Sequence, residues 1–326
     1  MRKSESVKIS GMLLLFMGLL FLSSQTTWAV YPEKPITAIQ CWSAGGQIDI
    51  TFRALATPAS KILGQQIIVE TRPGGSGGVG IGLLKSRKAD GYNIAVTTIS
   101  TLIHQHLNKV PYDLIKDFTP IMQYSDGAYC IAVAASSPWK SVQDLLDYAK
   151  ANPGKIRISS SGPGDPGGFL SMSALADRFK LDWTHVPFVG GMPAVAALLG
   201  GHVEVYSGAL GNAAPNVKAG KLRLLAILTE KRWPNFPDVP NLKELGIPVV
   251  APSFSGMFAP KGLPPDILET LHQALRKAMD DPDFKKSLEV TDKGWVYRTP
   301  QEFAKDIAEV DQGIRRIMTK MKQKKE

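Results

Sequence analysis

Two glycine-rich turns carry the residue pattern in this chain that is best suited to binding chemistry. The first, Ser43 to Asp49, follows the apolar alternating run 35–40 and precedes apolar residues at helical spacing. The second spans 160–168 and also stands between a strand-like and a helix-like run. Glycines let a backbone touch a ligand, and the first turn of a helix offers unpaired N–H groups and about half a positive charge. The pattern predicts that each turn binds an anion such as a carboxylate, although a strand-to-helix turn without a ligand has the same pattern.

Hydroxyl side chains at the ends of other strand-like runs extend this candidate site. Thr98 and Ser100 follow a third run, and Ser207 follows a later one. The carboxyl ends of parallel strands line the ligand crevice of an open α/β sheet, so these hydroxyls are expected to face the glycine turns. Capping of the next helix is an equally good role for Thr98 and Ser100, and both roles can hold together.

The second turn contains Pro163, which has no N–H, so its expected donors are Gly162, Gly164 and Asp165. Asp49 and Asp165 occupy positions typical of helix-capping residues, and Asp49 could instead hold a water molecule or a ligand amino group. The full set of candidate ligand-binding residues is Trp42, Ser43, Ala44, Gly45, Gly46, Asp49, Thr98, Ser100, Ser161, Gly162, Gly164, Asp165, Phe169 and Ser207.

Enzyme classes compete with a binding protein for this pattern. The segment 75–80 matches the dinucleotide motif G-x-G-x-x-G between a strand and a helix. However, Thr71-Arg72-Pro73 separates the glycines from the strand, and Ser100 stands near the place of the ribose-binding acid. A hydrolase is disfavoured because neither Ser161 nor Ser255 lies in G-x-S-x-G. A pure interaction protein would have no use for two facing glycine turns, so a non-enzymatic binding protein is favoured.

The composition predicts neither a metal site nor a cofactor. The five histidines have no metal-ligand spacing. Cys41 and Cys130 each lie in an apolar run, which favours free buried thiols, although an exported chain could pair them. The formal net charge is +9, which favours anionic ligands, but the basic residues are scattered apart from a tail at 320–325. Nucleic acid is therefore not an expected partner.

The N-terminus predicts export. Basic residues between Arg2 and Lys8 precede an apolar core from Met12 to Leu22, and Thr27-Trp28-Ala29 supplies small residues for cleavage. This is the order of a secretory signal peptide, and the apolar core is too short for a membrane span. We expect residues 1–29 to be a cleaved signal peptide, with an uncleaved anchor helix as the alternative.

Alternating elements are expected to position the turns. The order strand, helix, strand, helix, strand over 35–97 predicts parallel pairing in an α/β unit. The order of strand, glycine turn and helix recurs from residue 156, so the chain is predicted to form two α/β lobes. The strongly apolar run 222–229 is expected to be a central strand of the second lobe.

Eight short motifs are spread over nearly the whole mature chain. They are Tyr31-Pro32-x-x-Pro35-Ile36, Gly45-Gly46-x-x-Asp49 with Arg53, Gly64-Gln65, Arg72-Pro73-Gly74, Asp90-Gly91-Tyr92, His185-Val186-Pro187-Phe188, Gly200-Gly201-His202-Val203-Glu204 and Ala219-Gly220-Lys221-Leu222-Arg223. Their order resembles that of the solute-binding proteins of tripartite tricarboxylate transporters, the Bug or TctC type. Each motif alone is weak, but together they are specific.

The resemblance implies a type II periplasmic-binding-protein-like fold, in which two α/β lobes are joined by two crossover hinge strands. Residues 31–128 with 252–326 would form lobe 1, and residues 129–251 would form lobe 2. It implies a small carboxylate held between the lobes by backbone N–H groups of 43–49 and 160–167. The expected partners are membrane permease subunits of such a transporter, or a sensor kinase, and the protein is expected to be a periplasmic monomer.

Departures from the family pattern concern the far end of the ligand. The family commonly has a proline where Ala44 stands, an Asp where Glu204 stands, and different residues at Phe188-Val189. With Trp42 and Phe169 nearby, a more apolar wall would suit an aromatic or hydrophobic acid. Packing of both rings in the core is the alternative.

Overall fold

The structure is a computed structural model that describes residues 31–162 and 165–323. The predicted signal peptide at 1–29 lies outside this part of the chain. The described residues form two β-sheets of mixed strand direction, each packed against helices. The predicted α/β fold with two lobes is therefore confirmed.

The strands are numbered in chain order. They are β1 (Ile36–Gln40), β2 (Ile67–Thr71), β3 (Asn93–Thr98), β4 (Phe118–Gly127), β5 (Tyr129–Ala134), β6 (Arg157–Ser160), β7 (Thr184–Pro187), β8 (Val205–Ala209), β9 (Leu222–Ile227), β10 (Ser255–Pro260) and β11 (Lys293–Arg298).

The helices are numbered in the same way. They are α1 (Gln47–Leu63), α2 (Gly78–Lys85), α3 (Ile99–Leu107), α4 (Val142–Ala151), α5 (Met172–Phe179), α6 (Gly191–Leu199), α7 (Leu210–Lys218), α8 (Pro265–Ala278), α9 (Pro282–Val290) and α10 (Pro300–Gln323). A 3-10 turn, Gly75–Gly77, precedes α2, and a π-helical turn, Pro166–Ser171, precedes α5.

The first sheet contains strands from both ends of the described chain, in the order β11-β4-β10-β3-β1-β2. β1 pairs in parallel with β2 and β3, as the alternating strand and helix pattern predicts. β10 runs antiparallel to both β3 and β4. The amphipathic helix α1 packs on this sheet through the buried side chains of Phe52, Leu55 and Ala59.

The second sheet has the order β7-β6-β8-β5-β9. β6 is parallel to β7 and β8, whereas β5 is antiparallel to β8 and β9. β9 is thus an edge strand, and the expected central position is wrong. Its apolar residues are buried because the following segment covers them: Phe236 and Val239 pack on the same cluster, and Ile227 N–H donates to Pro240 O at 3.0 Å.

The chain passes between the two sheets twice. β4 and β5 are separated by Ala128 alone, and the chain returns from β9 to β10 through 228–254. The lobes also touch elsewhere, because Leu170 of the π-helical turn is buried in a cluster with residues of the first lobe. Asp292, just before β11, accepts from Asn235 Nδ2 at 2.8 Å and Lys218 Nζ at 3.4 Å.

Candidate functional site

A cavity of about 320 Å³ is lined by residues of both lobes. Its walls are mostly apolar and backbone atoms, with a few hydroxyl and amide groups. The lining consists of Trp42, Ser43, Ala44, Gly45, Gly46, Gln47, Ile48, Thr98, Ser100, Gly127, Ala128, Tyr129, Ser161, Val189, Gly190, Gly191, Met192, Pro193, Ala209, Asn212, Ser253, Phe254, Ser255 and Lys293.

Four helices begin at this cavity. The N-cap residues of α1, α3, α6 and α7 are Gly46, Thr98, Gly190 and Ala209, and all four line it. None of the four makes a side-chain capping hydrogen bond. The first N–H groups of a helix have no partner within the helix, so these ends direct partial positive charge at the same space. At α7 the first N–H, that of Leu210, is already bonded to Ala128 O at 2.8 Å.

Two helices that begin away from the cavity, α4 and α9, do have side-chain caps, although α2, α5 and α8 have none. Ser141 and Asp144 form a reciprocal capping box at α4, and Asp281 accepts from the N–H groups of Asp283 and Phe284 at α9. Such caps satisfy the donors that a helix start leaves open. At the four helix starts of the cavity, no capping side chain competes with an anion for these donors.

The first glycine turn is held by Asp49, the third residue of α1. Asp49 is buried, and its Oδ2 accepts from Gly45 N–H at 2.9 Å. Its Oδ1 accepts from Arg53 Nε at 2.8 Å, and Gly46 N–H donates to Ser43 O at 3.3 Å. Asp49 thus fixes the shape of the turn from the side, and the start of α1 remains on the cavity wall.

The second glycine turn is closed on itself by Asp165. Its Oδ1 accepts from the N–H groups of Gly167 (2.9 Å) and Gly168 (3.1 Å), and its Oδ2 accepts from Ser161 N–H (3.2 Å) and from the Ser161 hydroxyl. Burial raises the pKa of the Asp165 carboxyl, while these hydrogen bonds oppose the rise. The side chain acts as the N-cap of the π-helical turn, which is the simpler of its two predicted roles.

The structure places the sequence-predicted site residues in two groups. Those that line the cavity are Trp42, Ser43, Ala44, Gly45, Gly46, Thr98, Ser100 and Ser161. Those outside the lining are Asp49, Gly162, Asp165, Phe169 and Ser207. Gly164 lies outside the described residues. A role in ligand binding stays a prediction for all of them.

Three of the residues outside the lining have clear packing roles. Phe169 packs against a cluster of the first lobe, and its ring lies 6.2 Å from that of His185. Ser207 is fully buried in β8. Gly162 lies so close to Ser76 of the first lobe that a Cβ there would sit 2.9 Å from the Ser76 hydroxyl. Phe169 is half-buried against the first lobe and Ser207 is fully buried, so neither lines the cavity, whereas Trp42 of the predicted apolar wall does line it.

The lobe 2 side of the cavity is formed mainly by residues that sequence reasoning missed. Val189 to Pro193 carries the start of α6, and Gly190 N–H is tied to Ser161 O at 3.3 Å. Gly191 lies directly beneath the Asn212 side chain, which also lines the cavity. The sequence does contain a signal for this wall, because Gly190-Gly191-Met192-Pro193 has the same glycine-then-helix pattern as the first turn.

Tyr129 and Lys293 are the titratable residues of the lining. Burial raises the pKa of the Tyr129 phenol, which interacts with the hydroxyls of Ser100 and Ser253, so the phenol stays neutral. Lys293 is buried, and burial lowers its pKa to about 8. No local motif marks Lys293 in the sequence, because the fold of the last third of the chain brings it here.

Metal sites, disulfides and membrane-spanning helices are three further features that the described part of the chain could contain. Within 31–162 and 165–323, no group of three His, Cys, Asp or Glu residues could hold a metal ion. Cys41 and Cys130 are free and buried, so of the two predicted possibilities the structure shows free thiols rather than a disulfide. No helix of these residues combines the length and apolar character needed to cross a membrane.

Comparison with known proteins agrees with this architecture. The family model of the tripartite tricarboxylate transporter family receptor matches residues 51–322. A relative from Cupriavidus necator, the UPF0065 protein in the gbd 5′ region, is 38% identical over 309 residues, which cover 94% of this chain and 93% of the relative.

Solved structures have the same fold. A protein described as a periplasmic transporter has a TM-score of 0.82 and 34% identity, and the match covers 89% of this chain and 98% of that one. MatC from Rhodopseudomonas palustris, solved with bound malate, has a TM-score of 0.81 and 26% identity. The match covers 88% of this chain and 100% of MatC. The resemblance stated from the sequence motifs is thereby confirmed. The chain belongs to the tripartite tricarboxylate transporter receptor family, and it is a periplasmic-type solute-binding protein rather than an enzyme.

Proposed function

We propose that this receptor binds a small carboxylate in the cavity between its lobes and delivers it to the membrane permease subunits of a tripartite tricarboxylate transporter. The observation that carries the proposal is the convergence of four helix starts without side-chain caps. The described lining contains no Asp or Glu, so nothing there repels an anion. Such an arrangement stabilises negative charge. The malate bound by MatC supports the same chemical class.

The donors for the carboxylate come from both lobes in this proposal. The start of α1 and the hydroxyls of Thr98 and Ser100 act from lobe 1, and the start of α6 acts from lobe 2. A charge-assisted hydrogen bond contributes about 1.5–3 kcal/mol. Two or three of them, with apolar contacts to the ligand's carbon chain, give about −8 kcal/mol, which is a Kd of about 1 μM.

Lobe closure is the proposed means by which the receptor reports that it is occupied. The proposed lobes are 31–128 with 252–326, and 129–251, with hinges at 125–133 and 249–255. Asp292 of lobe 1 bonds to Lys218 and Asn235 of lobe 2, so the two faces have complementary polar groups beyond the ligand itself. A ligand held by both lobes favours the closed arrangement because it binds that arrangement more tightly.

A thermal-shift screen of the mature protein tests this function. Malate, succinate, adipate, benzoate and nicotinate are compared with the matching uncharged amides, and the best acid is then titrated by calorimetry. A ligand at 100 times its Kd stabilises the fold by about 2.7 kcal/mol, so at least one acid is expected to raise the melting temperature by several degrees. The acid should be recovered unchanged. Equal shifts with acid and amide, or no shift with any acid, would contradict the proposal.

A further inference from the structure

Lys293 is the one charged side chain in the described lining of the cavity. It is the first residue of β11 and pairs with Gly127, the last residue of β4. A Cβ on Gly127 would lie 3.2 Å from Lys293 Nζ and 3.6 Å from Ser253 Oγ. The ammonium group therefore sits where both crossovers between the sheets meet.

The surroundings leave this ammonium group without a bonded counter-ion. Lys293 is only 9% exposed, and no hydrogen bond or ion pair of Nζ is found within the described ranges. Asp126 attracts it, but the burial of Lys293 outweighs that attraction and lowers its pKa. The carboxylate of Asp292 is bonded to Lys218 and Asn235 instead.

A buried charge of this kind is unfavourable unless another group pairs with it. Asp126 attracts Lys293 but forms no ion pair with it, so an anionic group that enters the cavity would supply a bonded partner. The cavity of about 320 Å³ is much larger than one carboxylate group needs, so it can hold a carbon chain with an anionic group at each end.

We propose that Lys293 binds a second anionic group of the ligand, so that this receptor selects dicarboxylates over monocarboxylates with the same carbon chain. The inference rests on the proposed function, in which one carboxylate lies at the helix starts. Lys293 then acts as the specificity-determining residue, because a monocarboxylate satisfies the helix starts and leaves the ammonium unpaired. The choice among dicarboxylates of different length follows from the span between these two positive features.

Matched acid pairs test this inference. Straight-chain dicarboxylates of four to eight carbons and the monocarboxylates of equal length are titrated by calorimetry into wild-type protein, Lys293→Met and Lys293→Gln. The control is Lys285→Met, which makes the same charge change on an exposed residue of α9. Circular dichroism and the melting temperature verify that each variant folds.

The wild type is expected to bind its best dicarboxylate about 10- to 100-fold more tightly than the matching monocarboxylate. Lys293→Met and Lys293→Gln should lose this preference by weakening the dicarboxylate alone, while Lys285→Met should retain it. Equal weakening of both acids, or no weakening of either, would overturn the role of Lys293. If the folded wild type binds no acid of either kind, the proposed function itself fails, which is a distinguishable result.

Discussion

The turn at 43–46 and the turn at 160–168 both join a strand to a helical segment, and both contain an aspartate near the helical start. In the first, Asp49 lies three residues into α1 and bonds to Gly45 and Arg53. In the second, Asp165 is itself the N-cap and accepts from Ser161, Gly167 and Gly168. One turn therefore keeps its helix start on the cavity wall, whereas the other uses the N–H groups of Ser161, Gly167 and Gly168 internally.

The difference lies in the position of one carboxylate, which bonds to N–H groups at the helical start in the second turn and not in the first. A capping side chain satisfies the same N–H groups that an external anion would need. The second lobe still faces the cavity with a helix start, but it does so with the uncapped Gly190-Gly191 turn of α6. The comparison assigns stability to Asp165 and binding to Gly46 and Gly191, and each assignment can be tested.

The largest expected effect is on stability. Asp165→Ala removes an N-cap and leaves the buried N–H groups of Gly167 and Gly168 without their acceptor, so we expect the free energy of unfolding to fall by about 3 kcal/mol. Urea unfolding measures this loss. Asp165→Asn is the matched control, because its amide oxygen can still accept from Gly167 and Gly168 and only the acceptor for Ser161 is lost, so it should lose less stability than Asp165→Ala. Asp165→Asn should also bind the ligand as the wild type does. A selective loss of affinity in Asp165→Asn would mean that the second turn contacts the ligand after all.

The pH dependence of stability sharpens the same assignment. Burial raises the pKa of Asp165, so the folded protein holds this proton more tightly than the unfolded chain does. The stabilisation from this group is fully present below the unfolded pKa of about 3.9 and is lost as the pH rises through the folded pKa. Tyr129 and Cys130, which also have raised pKa values, stay neutral in this window. The stability of the wild type relative to Asp165→Asn should therefore decrease as the pH rises from 4 to 7.

The next largest effect concerns binding at the first turn. Gly46 has φ −77°, which other residues adopt, and an added Cβ would lie 3.2 Å from Ser43 O, so Gly46→Val should fold after a small shift of the turn. Its side chain would occupy the start of α1, and we expect at least about a 100-fold loss of carboxylate affinity by calorimetry. Gly82→Val, placed where an added Cβ meets nothing within 4 Å, controls for the substitution itself. Unchanged affinity in Gly46→Val would rule out a ligand at this helix start.

A smaller effect is expected at the start of α6. A Cβ on Gly191 would collide with the amide of Asn212, so Gly191→Ala must displace a side chain of the cavity wall. We expect carboxylate affinity to fall by about 10-fold, since one of several donor groups is disturbed. Gly313→Ala in α10 is the control, because its Cβ meets nothing within 4 Å and it should leave the affinity unchanged. Full affinity in Gly191→Ala would mean that lobe 2 contacts the ligand through the 160–168 turn rather than through the start of α6.

Much of the fold was predictable because strand, turn and helix patterns are local. The position of Gly46 between an apolar run and helix-spaced apolar residues predicted the β1 to α1 connection. Strand order and contacts between segments that are distant in the sequence were not predictable from such patterns. The edge position of β9 depends on coverage by residues 233–240, and the inward packing of Phe169 depends on the meeting of two lobes. Lys293 reaches the cavity through the pairing of β11 with β4, which no spacing in the sequence reveals.

The smallest effects on stability and affinity are expected for Asp49→Asn, which tests whether Asp49, unlike Asp165, contacts the ligand. Asp49→Asn retains an acceptor for Gly45 N–H and loses the ionic part of the contact with Arg53, whose side chain is 47% exposed. Asp49 itself is buried, but water screens the exposed Arg53 end of the pair and the variant keeps a polar acceptor, so stability should fall by only about 1 kcal/mol. Because Asp49 lies behind the turn, carboxylate affinity measured by calorimetry should stay within about 3-fold of the wild type. A loss beyond about 10-fold would mean that Asp49 holds a water molecule or an amino group of the ligand, and the first turn would then recognise its ligand through a side chain as well as through the backbone.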